Sequence, residues 1–242
     1  MKALILAGGR GKRLGEISEG TNKCTLNIRG KPLIEYSLDC IAVLEEIEEI
    51  VVVVGYKAED IINKYGIDYR GKKIRYVIQS EQKGLVHAIE CAKDSLENQD
   101  LMLLLGDELM INPRHKEFIS KFQQENLFGL CGVVIVEDLN LIKKTYAVIQ
   151  SEDGRIFRLI EKPINPFNNI MGTGNCIFKN EILNYIPHTP INQKRQEKEL
   201  PDLIQCAIDD GHNIESFVIC DRYMNINFEE ELKEVLSYFV HL

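Results

Sequence analysis

Long apolar runs are missing from this chain. Val51-Val-Val-Val54 is only strand-length, whereas a membrane helix needs about 20 apolar residues. No membrane partner is therefore expected. The opening residues, a short apolar segment running straight into glycines, also lack the layout of a signal peptide. Paired cysteine motifs are missing too. The seven cysteines (24, 40, 91, 131, 176, 206 and 220) are scattered, odd in number and never spaced Cys-x-x-Cys. That pattern excludes a zinc ribbon or a disulfide frame and reads as reduced thiols in a cytoplasmic protein. A basic surplus is absent: 29 Lys and Arg stand against 37 Asp and Glu, for a formal charge of −8. Nucleic acid is thereby disfavoured as the main partner. No repeat, low-complexity tract or linker interrupts the chain.

What is present is ordinary globular composition, 45% apolar and 27% charged. The length of 242 residues suffices for one large α/β domain spanning residues 1–242.

The most informative stretch is Met1 to Pro32. Lys2-Ala-Leu-Ile-Leu-Ala7 has no polar face, which suits a strand buried on both sides. Gly8-Gly9-Arg10-Gly11 follows at once and lets the backbone turn its N–H groups towards a ligand. Six basic residues against two acidic ones lie between Arg10 and Lys31, a local positive surplus inside an acidic protein. Backbone donors plus cations describe a polyphosphate site. The Walker loop is excluded, because Gly11-Lys12 is followed by Arg13 rather than Ser or Thr. The dinucleotide fingerprint is excluded as well, since counting from Gly9 its last glycine would fall on Leu14.

Leu6-Ala-Gly-Gly-x-Gly-x-Arg-Leu14, a lysine at 23 and Gly30-Lys-Pro32 together resemble the sugar-phosphate nucleotidyltransferases, the nucleoside-diphosphate-sugar pyrophosphorylases. The resemblance covers nearly the whole chain. It implies a doubly wound, mostly parallel α/β sheet with a small β insertion for the sugar. It also implies transfer from a nucleoside triphosphate, a pyrimidine one if Gln79 reads the base, to a sugar 1-phosphate. Under it, Arg13 and Lys23 are the catalytic cations, and Leu6, Ala7, Gly8, Gly9 and Gly11 cradle the nucleotide. The family usually has Pro-Lys where this chain has Asn22-Lys23.

Downstream, residues 32–44 and 58–65 have helical spacing, and residues 50–55 and 74–79 read as buried strands. Gln79-x-x-x-x-Gly84 then precedes a helix at 85–96. Alone, Gln79 is equally a surface glutamine; the resemblance makes Gln79 and Gly84 base contacts. Leu101–Leu105 is the most hydrophobic strand and runs into Gly106-Asp107, which is either a turn pair or a cation site over phosphates. The resemblance assigns Mg²⁺ to Asp107, with Asn227 as second ligand and Asn225 as its rival. Both asparagines also suit a cap for the helix at 229–240. Tyr146–Gln150 and Arg155–Ile160 read as a hairpin about Asp153-Gly154. Glu161-Lys162-Pro163 then forms either an exposed charge pair or, as the resemblance implies, a sugar-phosphate site with Tyr146 and Gly174. Ala147, where the family has glycine, would add a methyl beside the sugar. Residues 187–197 read as a mobile polar loop.

Two other functions fit the same motifs. One is a cytidylyltransferase acting on a non-sugar phosphate such as phosphocholine. The other is a non-catalytic sensor of nucleotides or sugar phosphates. A homo-oligomer is compatible with every reading.

Overall fold

The computed structural model describes residues 1–11 and 20–240. Strand β1 (Lys2–Ala7) lies at its centre, every residue buried. A small ribbon follows, β2 (Asn27–Ile28) with β3 (Lys31–Pro32), then helix α1 (Leu33–Ala42). Pro32, expected in the first helical turn, instead ends the ribbon opposite Asn27; its backbone is extended and the helix begins one residue later. The chain continues through β4 (Glu49–Val54), α2 (Ala58–Tyr65), β5 (Asp68–Tyr69), β6 (Lys72–Ile78), α3 (Leu85–Leu96) and β7 (Leu101–Leu105). Strands β7, β1, β4 and β6 lie side by side and parallel, with β5 antiparallel at the edge.

The alternation of side chains along β1 sorts the core into two layers. Ala3, Ile5 and Ala7 face one side, where Ile34, Leu38 and Ile41 of α1 and Ile61 of α2 cover them. Leu4 and Leu6 face the other, under Val86, Ile89 and Ala92 of α3. Burying each such aliphatic side chain contributes about 1.5–3 kcal/mol. The doubly wound arrangement that the resemblance implies is therefore present, with its parallel strands at the centre.

The second half builds the flank. It holds β8 (Glu108–Ile111), α4 (His115–Gln124), β9 (Gly129–Ile135), β10 (Tyr146–Gln150), β11 (Ile156–Glu161) and β12 (Ile170–Phe178). Strand β12 is forked. One edge pairs with β9 along both ends, while the other edge pairs first with β10 and then, from Cys176, with β7. The expected sugar-binding insertion is thus continuous with the main sheet. The β10–β11 turn is longer than an Asp-Gly pair. Ser151 accepts from the Gly154 N–H and donates to the Arg155 carbonyl, and Gly154 sits at φ 92°.

After β12 come β13 (Ile191–Asn192), β14 (Glu197–Lys198), α5 (Leu200–Asp209), β15 (Ile214–Val218), β16 (Arg222–Asn225) and α6 (Glu229–Val240). The segment expected as a polar loop at 187–197 is folded, in that β13 and β14 pair as a hairpin. Strands β8 and β16 pair as a ribbon under Leu232 and Val235 of α6. This ribbon brings residues 225–227 back to the carboxyl end of β7.

Candidate active site

The site forms where β1 and β7 both end. Gly106, directly after β7, donates its N–H to the Leu6 carbonyl at 2.9 Å, which brings Asp107 level with the glycine loop. Lys23 opens a short turn, Lys23–Thr25, and is only 5% exposed. Its ammonium donates to Asp107 Oδ2 at 2.5 Å and to Asn227 Oδ1 at 3.0 Å. Three segments far apart in sequence thus meet at one charged point.

Asn225 stands one step back. Asn227 Nδ2 donates to Asn225 Oδ1 at 3.0 Å, so Asn227 is the asparagine that turns an oxygen to Lys23 and Asp107. Capping of α6 is handled elsewhere, because Glu231 Oε2 accepts the N–H groups of Asn227 and Phe228. The carboxylate and the amide oxygen that converge on the Lys23 ammonium are hard donors, of the kind that suits a small divalent cation. Among the described residues no cluster of three or more His, Cys, Asp or Glu could hold a metal. A cation here would take most of its ligands from phosphate oxygens and water.

A cavity of about 620 Å³ opens beside this point, lined by Leu6, Gly8, Gly9, Gly11, Gln79 and Gly84, with Lys23, Asp107 and Asn227 on its wall. Ala7 does not line it; its carbonyl accepts from Asn22 Nδ2 instead. Gln79 is buried, and its Nε2 donates to the Gly84 carbonyl at 3.1 Å and lies 3.0 Å from His87 Nδ1. Because a carbonyl only accepts, the amide is oriented with its NH₂ towards Gly84, leaving Oε1 beside Gly8. Gly84 sits at φ 92°, and any Cβ there would run into the Glu197 side chain from the β13–β14 hairpin. Glycine is required at this position on both counts.

A second cavity of about 240 Å³ shares Asp107, Asn227, Leu85 and Leu105 with the first. Glu161 and Lys162 at the end of β11, Tyr146 and Gly174 all line it, which brings together the residues expected to take the sugar phosphate. Sequence reasoning missed Arg195, from the β13–β14 hairpin. Its guanidinium donates to Glu161 Oε1 at 2.9 Å and lies 3.1 Å from Glu199 Oε1. An arginine in a polar loop carries no sequence signal for a partner 34 residues away. Glu199 is pushed up to about 7, first by burial and then by the neighbouring Glu161 charge.

Glu108 was missed as well. It is 1% exposed and accepts from the Gly174 N–H at 2.9 Å, Asn175 Nδ2 at 2.7 Å and the Tyr223 hydroxyl. Burial pushes it up to about 8 against the pull of those donors. The carboxyl braces the fork in β12. A Cβ on Gly174 would collide with Leu105 and with Glu108. Tyr146 is used structurally: its ring covers Gly172, where a Cβ would overlap it, and its hydroxyl donates to the Thr173 carbonyl at 2.9 Å. Ala147, expected to add a methyl beside the sugar, is fully buried in the core on the α1 side of the sheet. Arg13 lies outside the described residues.

Residues 2–223 match the family described as nucleotidyl transferase, and the chain belongs to that family. It is 32% identical over 234 residues to the UTP–glucose-1-phosphate uridylyltransferase AglF of Haloferax volcanii, covering 97% of this chain and 94% of that protein. It is 29% identical over 238 residues to a glucose-1-phosphate thymidylyltransferase of Streptomyces griseus, covering 97% of this chain but only 65% of that one. A solved UDP-glucose pyrophosphorylase, complexed with UDP-glucose, superposes with a TM-score of 0.87 at 22% identity, covering 99% of this chain and 98% of that one. At that identity the likeness is one of fold. No helix among the described residues is long and apolar enough to cross a membrane.

Proposed function

We propose that this chain, acting as a single domain, transfers a nucleotidyl group from a uridine or thymidine triphosphate to a sugar 1-phosphate. The products are a nucleoside-diphosphate sugar and pyrophosphate. One observation carries the reading: two contiguous cavities share Asp107 and Asn227, and Lys23, on the wall of the larger one, donates to both. A triphosphate in the larger cavity and a sugar phosphate in the smaller would meet there. The uridylyl- and thymidylyltransferase relatives support it.

In the reaction, a sugar-phosphate oxygen attacks the α-phosphorus in line. The bond between that phosphorus and the bridging α–β oxygen breaks, and pyrophosphate leaves with the electron pair. The nucleophile is already an anion, so no general base is needed, and the protein's work is positioning and charge neutralisation. Lys23 neutralises the α-phosphoryl oxygens. The Gly8–Gly11 amides and Arg13 hold the departing pyrophosphate. Asp107 and Asn227 would hold Mg²⁺, which supplies further neutralisation of the phosphates. Lys162 and Arg195 hold the phosphate of the acceptor, and Glu161 accepts from its sugar hydroxyls.

The base reading rests on Gln79. With its NH₂ committed to Gly84, Oε1 is left to accept. Uracil and thymine offer an N3–H donor to such an acceptor, whereas cytosine N3 is itself an acceptor. The free thiols of all seven cysteines support a reducing, cytoplasmic setting.

The test crosses five nucleoside triphosphates with a panel of sugar 1-phosphates plus phosphocholine and identifies products by mass. A uridine or thymidine diphosphate sugar is expected. A cytidine product made only with phosphocholine would move the protein to the other acceptor class.

A further inference from the structure

Asn22 is completely buried, and every polar group it has is used. Its Nδ2 donates to the Ala7 carbonyl at 3.0 Å and to the Tyr56 carbonyl at 2.8 Å. Its Oδ1 accepts the Cys24 N–H at 2.8 Å. Its main-chain N–H donates to Asp60 Oδ2 at 3.1 Å, and its carbonyl accepts the Thr25 N–H at 2.9 Å and the Thr25 hydroxyl at 2.7 Å. One residue is thereby fastened to the end of β1, the second residue past β4 and the first turn of α2.

The next residue is Lys23, whose ammonium must reach Asp107 and Asn227 from a turn of only three residues. Asn22 itself does not line the cavity that Lys23 lines. Capping explains only part of its bonding. The Oδ1 bond to Cys24 is a cap that Ser or Asp could supply equally well. The two Nδ2 bonds do nothing for the turn; they tie it to the carboxyl ends of two sheet strands. The backbone at Asn22 is φ −74°, ψ 134°, and that φ is one a proline ring would fix covalently. Hydrogen bonds hold here what a ring would hold elsewhere.

We propose that Asn22 is the positioning residue for Lys23: its carboxamide fixes the turn against β1 and β4, so that the lysine ammonium arrives at the reacting phosphorus. The proposal rests on the nucleotidyl-transfer reading, and the test separates the two.

Asn22→Ser keeps a cap oxygen but cannot span both carbonyls, and Asn22→Pro keeps the backbone conformation with neither. Each variant is crystallised and assayed with the best substrate pair. In Asn22→Ser, Lys23 is expected to leave Asp107 and Asn227, and kcat to fall about ten- to a hundredfold, as misplacing a catalytic group by about 1 Å does. KM for either substrate should move little. Asn22→Pro is expected to keep Lys23 in place and to recover most of the lost kcat. A serine variant with kcat like that of the natural chain, or a loss of kcat with Lys23 unmoved, overturns the proposal. Should the serine variant fail to fold, Asn22→Thr, which likewise keeps a cap oxygen and loses the Nδ2 donor, is read the same way. If the natural chain makes no product with any pair, the transfer reading fails. The crystal structures then decide alone, and an unmoved Lys23 overturns the positioning.

Discussion

Lys23 Nζ and Asp107 Oδ2 lie 2.5 Å apart, although 84 residues separate them and they belong to different segments of the sheet edge. Asn227 completes the contact from the far end of the chain. An ammonium so nearly buried and so fully oriented needs little rearrangement to meet a phosphoryl group. Lys23→Ala is therefore expected to fold normally and to lose about 10²-fold or more in turnover, the usual cost of removing one preorganised charge-stabilising group. Steady-state pyrophosphate release, with circular dichroism as the fold control, measures this. Near-normal turnover would remove Lys23 from the mechanism.

Glu108 should matter first for stability. Its carboxyl takes three donors inside the fork of β12. Glu108→Ala leaves the Gly174 N–H, the Asn175 amide and the Tyr223 hydroxyl without it. Leaving buried donors unpaired costs about 1–3 kcal/mol each before relaxation, so a loss of about 2–4 kcal/mol is expected. Urea unfolding reads this directly, and a change below 1 kcal/mol would mean that water replaces the carboxyl.

Gly174→Ala tests the same fork from the other side. The added methyl meets Leu105, which is half-buried between the two cavities, and the buried carboxyl of Glu108. Overfilling of this kind costs about 1–3 kcal/mol. The acceptor cavity is lined by Gly174, so the KM for the sugar phosphate should rise more than that for the triphosphate.

The pH dependence of stability should carry the mark of Glu199. Its folded-state pKa, about 7, is above the unfolded value of about 4.3, so the folded state holds the proton more tightly. Its stabilising contribution is complete below about pH 4.3 and is lost as pH rises through about 7. Glu199→Gln mimics the protonated form. Melting temperatures of the two proteins should nearly coincide at pH 4 and separate by pH 8, with the glutamine variant higher. Equal separation at both pH values would show that Glu199 titrates normally.

Much of this was legible in sequence because it rests on local pattern. The apolar runs at 3–7 and 101–105 marked the central strands, and α2, α3 and β7 have the expected bounds. Lys23, Gln79, Glu161 and Lys162 were recognisable from the motifs around them. What escaped depended on long-range geometry. Arg195 sits in a hairpin held shut by its hydrogen bond to Glu161 and its ion pair with Glu199, and no local pattern marks a charge that closes over a distant strand. Glu108 read as the neighbour of Asp107 and not as the brace of a fork, because the fork exists only once β12 has paired with β7, β9 and β10. Asn22 read as a departure before Lys23; its partners at Ala7, Tyr56 and Asp60 are set by the sheet.

The most direct measurement is the initial rate of pyrophosphate release by the purified protein with Mg²⁺ and UTP or dTTP, with and without a sugar 1-phosphate. Release that requires both substrates, with a stoichiometric nucleoside-diphosphate sugar as the other product, is the expected result. Release without an acceptor, or silence across the panel while the triphosphate still raises the melting temperature, would contradict the account.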